Sequence, residues 1–432
     1  MKRILWAILA LVTSANAAYS QTCWTIGTDG SIELNPERIV LPYSDHIEMS
    51  GEQVSCVLRW MVDEKGLFGQ ERSLVFPMLR RVPNDTHASL LYRMGTDVMS
   101  LVGINSLVPK QLSTKKVSID GGLSVISEYG VGKANVGGAR GDNPKPVAEV
   151  RTTVFPSKVH PMLCEIYSIR NISASPLVLN VPKFSQEAKT LADKGVDGSY
   201  VIRADIFGSG TYVLEPWQEI GFQVAFQAYR EKGGSMIVPD FDAEYSDRMS
   251  FIRDAIDSSL ILETPDTVIN TEFRFAKIRA SESIYRTKGG LMHGPGGESY
   301  YAALWCNDEC EYVNPFYPFL GYAVGNESAF NCYRLYSGFM NDDFKPVPSS
   351  IIAEGTDIWD GAGDRGDAAM IAHGLSRYLL ARGDKNEAEQ LWPFLKWCLE
   401  YCHRKLNAAG VPESDSDELE GRFPAGDANL ST

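Results

Sequence analysis

The sequence predicts a chain with two unlike parts, an N-terminal antiparallel β-sandwich and a helical domain that follows it. Between residues 22 and 243, short apolar runs alternate with turn signals, which is typical of many short strands. From residue 244 onward, the apolar residues recur at helical spacing. A length of 432 residues with 44% hydrophobic composition is sufficient for two or three separate cores.

The amino terminus has the pattern of a secretory signal peptide. Two basic residues precede an apolar run over residues 4–12, and a small-residue cleavage motif follows at 15–17. This apolar run is much shorter than the roughly 20 residues that a membrane-spanning helix needs. We therefore predict a signal peptide at 1–17 and a secreted or periplasmic protein that is not inserted in a membrane.

The charge balance narrows the class of partner. The chain has 55 acidic residues against 41 Lys and Arg, a net charge of −14 at pH 7. Because no block of basic residues interrupts this acidic composition, nucleic acid and anionic membranes are not expected as partners. Neutral molecules are the expected partners, and the oligomeric state is left open.

The cysteines do not form the pattern of a disulfide scaffold or a zinc site. Of the eight cysteines, two pairs at 306/310 and 398/402 have a spacing that suits neither a bridge within a helix nor zinc. They are predicted to be buried free thiols. Cys23 and Cys56 remain a candidate disulfide.

Residues 18–243 are predicted to form the sandwich. Turn signals at Asp29-Gly30, 64–66 and 83–85 separate the apolar runs, and the Gly-rich segment 130–144 is predicted to be an exposed loop. The runs lie at 54–62, 73–79, 150–155, 162–169, 177–181 and 221–228.

A linker helix is predicted over residues 244–264, and an all-α domain over 265–432. Gly383 is a C-terminal stop signal, and Asp384 is a candidate N-cap for the helix after it. The predicted helices of the domain cover 267–285, 326–340, 366–382 and 385–406.

Three loops between these helices combine aromatic rings with carboxylates and amides. We refer to residues 289–322 as the first loop, 354–367 as the second and 410–426 as the third. The first carries Trp305, Asn307, Asp308 and His293, the second carries Trp359, Asp364, Arg365 and Asp367, and the third carries acidic residues at 413–420.

This composition suits a neutral sugar, because aromatic faces stack on sugar rings while carboxylates, amides and guanidinium groups bind hydroxyls. Hydrolysis of a glycoside further needs two carboxyl groups. Neither a G-x-S-x-G nucleophile motif nor a phosphate-binding P-loop occurs. The alternatives are solvated acidic loops, or a calcium site at Asp360, Asp364 and Asp367, although the EF-hand spacing is absent. We predict neither a metal nor a cofactor.

The order of sandwich, linker helix and helical hairpins resembles the six-hairpin glycosidases, which include bacterial glucoamylases, α-L-rhamnosidases and the maltose-phosphorylase group. Residues 304–308 resemble the Trp-x-Arg-Asp segment of that superfamily, with Asn307 in place of the arginine. The resemblance implies an (α/α)6 toroid, in which Asp308 binds the sugar at the cleavage subsite and Trp305 forms its wall.

Residues 417–423 resemble the acidic segment that holds the general acid in glucoamylase-like members, although the preceding tryptophan is absent. The resemblance implies Glu418 as the acid, with Asp417 next, and leaves Asp415 and Glu420 open.

The expected function is therefore an inverting glycoside hydrolase that acts on an oligo- or polysaccharide. The sequence contains too few helices for six hairpins, so we expect a C-terminally truncated chain whose catalytic base lies beyond residue 432. Such a fragment would be inactive alone. The alternatives are a glycoside phosphorylase of the same architecture and a non-catalytic glycan-binding protein.

Overall fold

The computed structural model describes residues 23–132, 144–294, 296–298, 303–356 and 363–416. The predicted signal peptide, most of the predicted loop at 130–144, and the site candidates Trp359, Asp417 and Glu418 lie outside the described residues. Among the described helices, none combines the length and the apolar character needed to cross a membrane.

The first part of the chain consists of antiparallel strands, as predicted. Every pairing among the described strands is antiparallel. The strands of this part are β1 (Trp24–Ile26), β2 (Ile32–Leu34), β3 (Tyr43–Ser50), β4 (Ser55–Val62), β5 (Phe68–Arg80), β6 (Ser89–Met94), β7 (Gly103–Ile104), β8 (Lys110–Ile119), β9 (Leu123–Gly130), β10 (Pro146–Pro156), β11 (Met162–Asn171), β12 (Leu177–Val181), β13 (Ser185–Lys189), β14 (Tyr200–Phe207), β15 (Gly210–Leu214) and β16 (Glu219–Arg230).

These strands form three sheets around one hydrophobic core. The largest sheet has nine strands in the order β1-β2-β8-β9-β10-β11-β16-β14-β13. A four-stranded sheet, β3-β4-β5-β6, and a three-stranded sheet, β15-β12-β7, complete the set. Side chains from all three sheets share the core, including Trp60 of β4, Leu179 of β12 and Phe226 of β16.

Strands whose side chains alternate strictly between core and solvent agree best with the sequence prediction. Strand β12 covers the predicted run at 177–181, and its apolar residues at alternate positions are buried while Val178 and Asn180 are exposed. Strand β5 extends well beyond the predicted run at 73–79. The sequence pattern missed its first half because Arg72 is a charged residue that is buried.

The linker helix differs from its prediction at both ends. Helix α1 covers Phe241–Phe251 and continues as a π-helical turn over Ile252–Asp257. It begins early because the Asp240 side chain accepts a hydrogen bond from the backbone N–H of Ala243. The turn ends near residue 257, where the Lys277 Nζ atom binds the last free carbonyls of this segment.

The expectation that the second part is all-α is wrong, because two short β-ladders interrupt the helices. Ile284 and Tyr285, predicted to end a helix, instead begin a hairpin that turns at Lys288-Gly289. The elements are α2 (Thr267–Glu282), β17 (Ile284–Thr287), β18 (Gly290–His293), β19 (Ala303–Trp305), a π-helical turn (Asp308–Val313), α3 (Asn314–Leu320), α4 (Ala323–Ser337), β20 (Ser350–Ile352), α5 (Asp367–Arg382) and α6 (Lys385–Arg404).

The caps predicted for the last two helices are present. Gly383 ends α5 in the left-handed conformation, with φ of 65°. The Asp384 carboxylate accepts hydrogen bonds from the first backbone N–H groups of α6. These helices share a second core, and the completion of a toroid remains a prediction.

The described cysteines are all free thiols; of the four predicted to be buried, Cys402 is only half-buried. The Sγ atoms of Cys306 and Cys310 lie 4.0 Å apart in the second core. Cys23 is exposed and Cys56 is buried, so the candidate disulfide between them is wrong.

Candidate functional site

The described parts of the three segments predicted as loops converge at the N-terminal end of α5, although the first of them is not irregular and contains β18, β19, the π-helical turn and α3. From the first loop, the Cys306 Sγ atom lies 3.6 Å from the carbonyl oxygen of Asp367. The second and third loops are joined by two hydrogen bonds: Asp364 N–H donates to Asp415 Oδ2 (2.9 Å), and Asp415 N–H donates to Asp364 O (2.8 Å). Segments that are far apart in the sequence thus meet at one place.

Close approach of α5 to the π-helical turn of the first loop depends on Gly374. A Cβ atom at this position would overlap the carbonyl oxygen of Cys310. Because glycine has no Cβ, the helix can lie directly against the turn that begins at Asp308. This contact holds the first loop beside the second.

Asp364 anchors the second loop and is 1% exposed. Its Oδ2 atom accepts a hydrogen bond of 2.5 Å from the Tyr401 hydroxyl, and its Oδ1 atom accepts one of 2.9 Å from Gly366 N–H. The Lys405 Nζ atom lies 3.6 Å from Oδ2. In this structure Asp364 therefore bonds to protein groups, and its predicted role in substrate binding remains a prediction.

Asp367 is the first residue of α5 and is 2% exposed. Burial raises the pKa of its carboxyl group to about 7, against the opposing effect of the Arg365 charge. Among the described residues its Oδ2 atom has no hydrogen-bond partner. Asp367 thus combines a pKa near neutrality with unused hydrogen-bonding capacity.

Trp305 ends β19 and is half-buried. Its ring meets the ring of His87 edge to face, with the centroids 6.1 Å apart and an angle of 74° between the planes. Asn307 and Asp308 follow at the start of the next helical segment, and both are half-buried. The predicted sugar-binding residues of the first loop are therefore near the surface and next to a sandwich residue.

The sandwich also holds the first loop by ion pairs. Glu298 contacts the guanidinium groups of Arg59 and Arg93, the latter at 2.8 Å. A hydrogen bond from Arg59 lowers the pKa of Glu298 to about 2; burial opposes this effect, and hydrogen bonds from Ser73 and Arg93 add to it. The carboxylate is therefore charged throughout the ordinary pH range.

A comparable pair holds the second loop. Arg80, at the end of β5, is fully buried, and its Nε atom donates to Glu354 Oε1 at 2.9 Å. The two residues are 274 positions apart, and no local sequence pattern marks them as partners.

A buried histidine–carboxylate pair supports the first loop from within. His293 Nδ1 lies 3.0 Å from Oε1 of Glu309, which is 0% exposed. Burial raises the pKa of Glu309, and the nearby His293 opposes this effect. The sequence analysis did not select Glu309, because nothing in the local pattern separates its buried carboxylate from the half-buried one of Asp308.

No group of three or more His, Cys, Asp or Glu side chains is arranged to hold a metal ion within the described residues. Of the calcium alternative, the described members are Asp364 and Asp367. The two carboxylate oxygens of Asp364 bond to Gly366 and Tyr401.

No family model and no curated protein matches the chain. The chain is similar to a number of solved structures, including the following two. A protein provisionally described as a kojibiose phosphorylase from the human microbiome is 10% identical, with a TM-score of 0.45 over 93% of this chain and 61% of its own. A bacterial glucoamylase complexed with acarbose is 7% identical, with a TM-score of 0.27 over 85% of this chain and 69% of its own.

These two structures are described as a phosphorylase and a glucoamylase. This chain spans about three fifths of the length of the first. At these TM-scores the similarity assigns neither an activity nor a residue.

Proposed function

We propose that this protein cleaves glycosidic bonds in an oligo- or polysaccharide by hydrolysis. The observation that carries the proposal is the convergence of the three loops, in which Asp364 joins the second loop to the third and Asp367 meets the first. This convergence brings together an aromatic residue, amide and carboxylate groups, and a carboxyl group with a pKa near neutrality. This is the residue set that sugar binding and acid catalysis require.

In this proposal the face of Trp305 forms the wall against which a sugar ring stacks. Asp308 accepts hydrogen bonds from sugar hydroxyl groups, and Asn307 can both donate and accept. Glu418, or Asp417 beside it, protonates the glycosidic oxygen as the bond breaks. A second carboxylate activates the attacking water, which inverts the anomeric configuration.

The test is an assay of the full-length protein with a panel of glycosides, with and without added phosphate. Turnover without phosphate supports hydrolysis, whereas turnover that requires phosphate would assign the protein to the phosphorylases. Binding of a saccharide without cleavage of any substrate would favour the glycan-binding alternative and contradict the proposal.

Replacement of Glu418 by glutamine is expected to lower kcat by about 10²-fold or more, because glutamine cannot donate the proton that the leaving oxygen needs. Steady-state kinetics of the full-length variant measure the effect. Glu400→Gln is a suitable control, since the Glu400 side chain is 45% exposed on α6 and pairs with Arg404. If Glu418→Gln retains wild-type turnover, the acid must be sought at Asp417, Asp415 or Glu420.

A further inference from the structure

A cavity of about 440 Å³ lies where the sandwich meets the first loop. Its volume is within the range of small-molecule binding sites, roughly 300–1,000 Å³. The turn between β5 and β6 supplies one wall, a short helical turn at Ala192–Lys194 supplies another, and Glu298 of the first loop contributes a third. We refer to it as the junction cavity.

The junction cavity adjoins the predicted sugar-binding wall. His87 lines the cavity, and the same imidazole ring contacts Trp305 edge to face at 6.1 Å. Glu298, which also lines it, belongs to the same loop as Trp305. A chain of sugar rings stacked on Trp305 could therefore extend past His87 into the cavity.

Hydrogen bonds around Arg80 fix the walls of the cavity. The guanidinium group of Arg80 donates to Asp85 O at 2.5 Å and to Glu354 in the second loop. Its carbonyl oxygen accepts from the Tyr200 hydroxyl at 2.5 Å and from Val196 N–H at 2.8 Å. Because these bonds hold the walls in place, binding would require little further ordering of the chain.

The lining side chains carry charges of both signs. Arg81 and Lys194 bring two positive charges, and Asp193 and Glu298 bring two negative ones, of which Glu298 is already paired with Arg59 and Arg93. Hydrogen-bond donors and acceptors are therefore both present. The Ser89 hydroxyl is also buried at this wall and has no partner among the described residues. A ligand rich in hydroxyl groups matches this set.

We propose that the junction cavity is a second saccharide-binding subsite, which accepts additional sugar residues of a chain held at Trp305. The inference rests on the proposed function and names its substrate class, because a subsite of this kind favours oligosaccharides over disaccharides. The sandwich then contributes directly to substrate recognition as well as holding the loops.

The test uses the full-length protein and the double variant Asp193→Ala/Lys194→Ala. Both residues are exposed, so the variant is expected to fold. The probes are oligosaccharides of glucose, mannose, xylose and rhamnose with two to five units, titrated by calorimetry. The variant loses the hydrogen bonds that these two side chains make to the saccharide in this proposal. Binding of the longer oligosaccharides should weaken by about tenfold, with little effect on disaccharides. Lys232→Ala, an exposed lysine elsewhere on the sandwich, is the matched control.

A Trp305→Ala variant separates failure of this inference from failure of the proposed function. If binding depends on Trp305 and the double variant binds every chain length as the wild type does, the second subsite is excluded while the function stands. If the wild type binds none of these probes, both proposals fail together. A loss confined to the longer chains in the double variant supports the subsite.

Discussion

Replacing Glu165 by alanine is expected to lower the free energy of unfolding by about 3–5 kcal/mol, because it leaves a buried arginine without its counter-ion. Arg72 of β5 donates from Nε to Oε1 (2.5 Å) and from Nη2 to Oε2 (2.9 Å) of Glu165 in β11. The Tyr167 hydroxyl donates to the same carboxylate at 2.7 Å. Glu165 is 0% exposed and Arg72 is 1% exposed, so water cannot replace the lost partner.

Urea unfolding of the variant measures this change. The double variant Arg72→Met/Glu165→Leu should recover much of the loss, because an apolar pair of similar volume removes the buried charges altogether. As a surface control, Glu400→Ala disrupts the exposed pair with Arg404 and should leave the midpoint almost unchanged. A loss of less than about 1 kcal/mol for Glu165→Ala would contradict the assignment of Arg72 and Glu165 as a structural ion pair.

Replacing Asp367 by asparagine is expected to stabilise the protein above pH 7 by up to about 4 kcal/mol. Burial raises the pKa of this carboxyl group from 3.8 to about 7. Between these values the folded state binds more protons than the unfolded state, so stability falls as the pH rises through this window. Asparagine carries no titrating group and removes this contribution.

Thermal unfolding of the wild type and of Asp367→Asn from pH 4 to pH 8 tests the prediction. The two proteins should differ least near pH 4 and most above pH 7. Asp247→Asn, on the exposed side of α1, provides a matched control that should keep the wild-type pH dependence. Equal pH dependence in wild type and Asp367→Asn would show that Asp367 is not held in a raised-pKa state.

The same experiment bears on function. A carboxyl group that destabilises the folded protein at neutral pH is a feature found at functional sites, where stability is given up for chemistry. If Asp367→Asn is more stable but binds saccharides less well, the residue has a role beyond the fold. If the more stable variant binds saccharides as tightly as the wild type does, the role of Asp367 is structural only.

Local patterns in the chain predicted the class of fold and many of its elements. Strand β12 could be recognised because its side chains alternate between core and solvent, and the end of α5 because glycine at 383 tolerates a positive φ. The Asp384 cap depends on backbone N–H groups only two and three residues away. Each of these features is determined by neighbours in sequence, which is why it can be predicted from sequence.

The sequence predictions were wrong where a local pattern was ambiguous or where contacts with distant residues overrode it. The predicted helix at 267–285 continued over Ile284 and Tyr285, although these residues pair with β18 once the turn at Lys288-Gly289 reverses the chain. Strand β5 was shortened because a buried arginine breaks an apolar pattern, and its partner Glu165 is 93 residues away. A scan of neighbouring residues contains no information about such a partner.

The amino-acid pattern was sufficient to predict the change from strands to helices, several caps and turns, and three segments rich in aromatic and carboxylate groups. These features depend on short-range spacing and residue type. Other features depend on side chains from distant parts of the chain. They are the meeting of those segments, the anchoring of Asp364, the raised pKa of Asp367, and the attachment of Glu298 and Glu354 to sandwich arginines. Burial and long-range pairing arise only when the two cores assemble, so folding in three dimensions determines which carboxylates are charged, which are neutral and which are held in place.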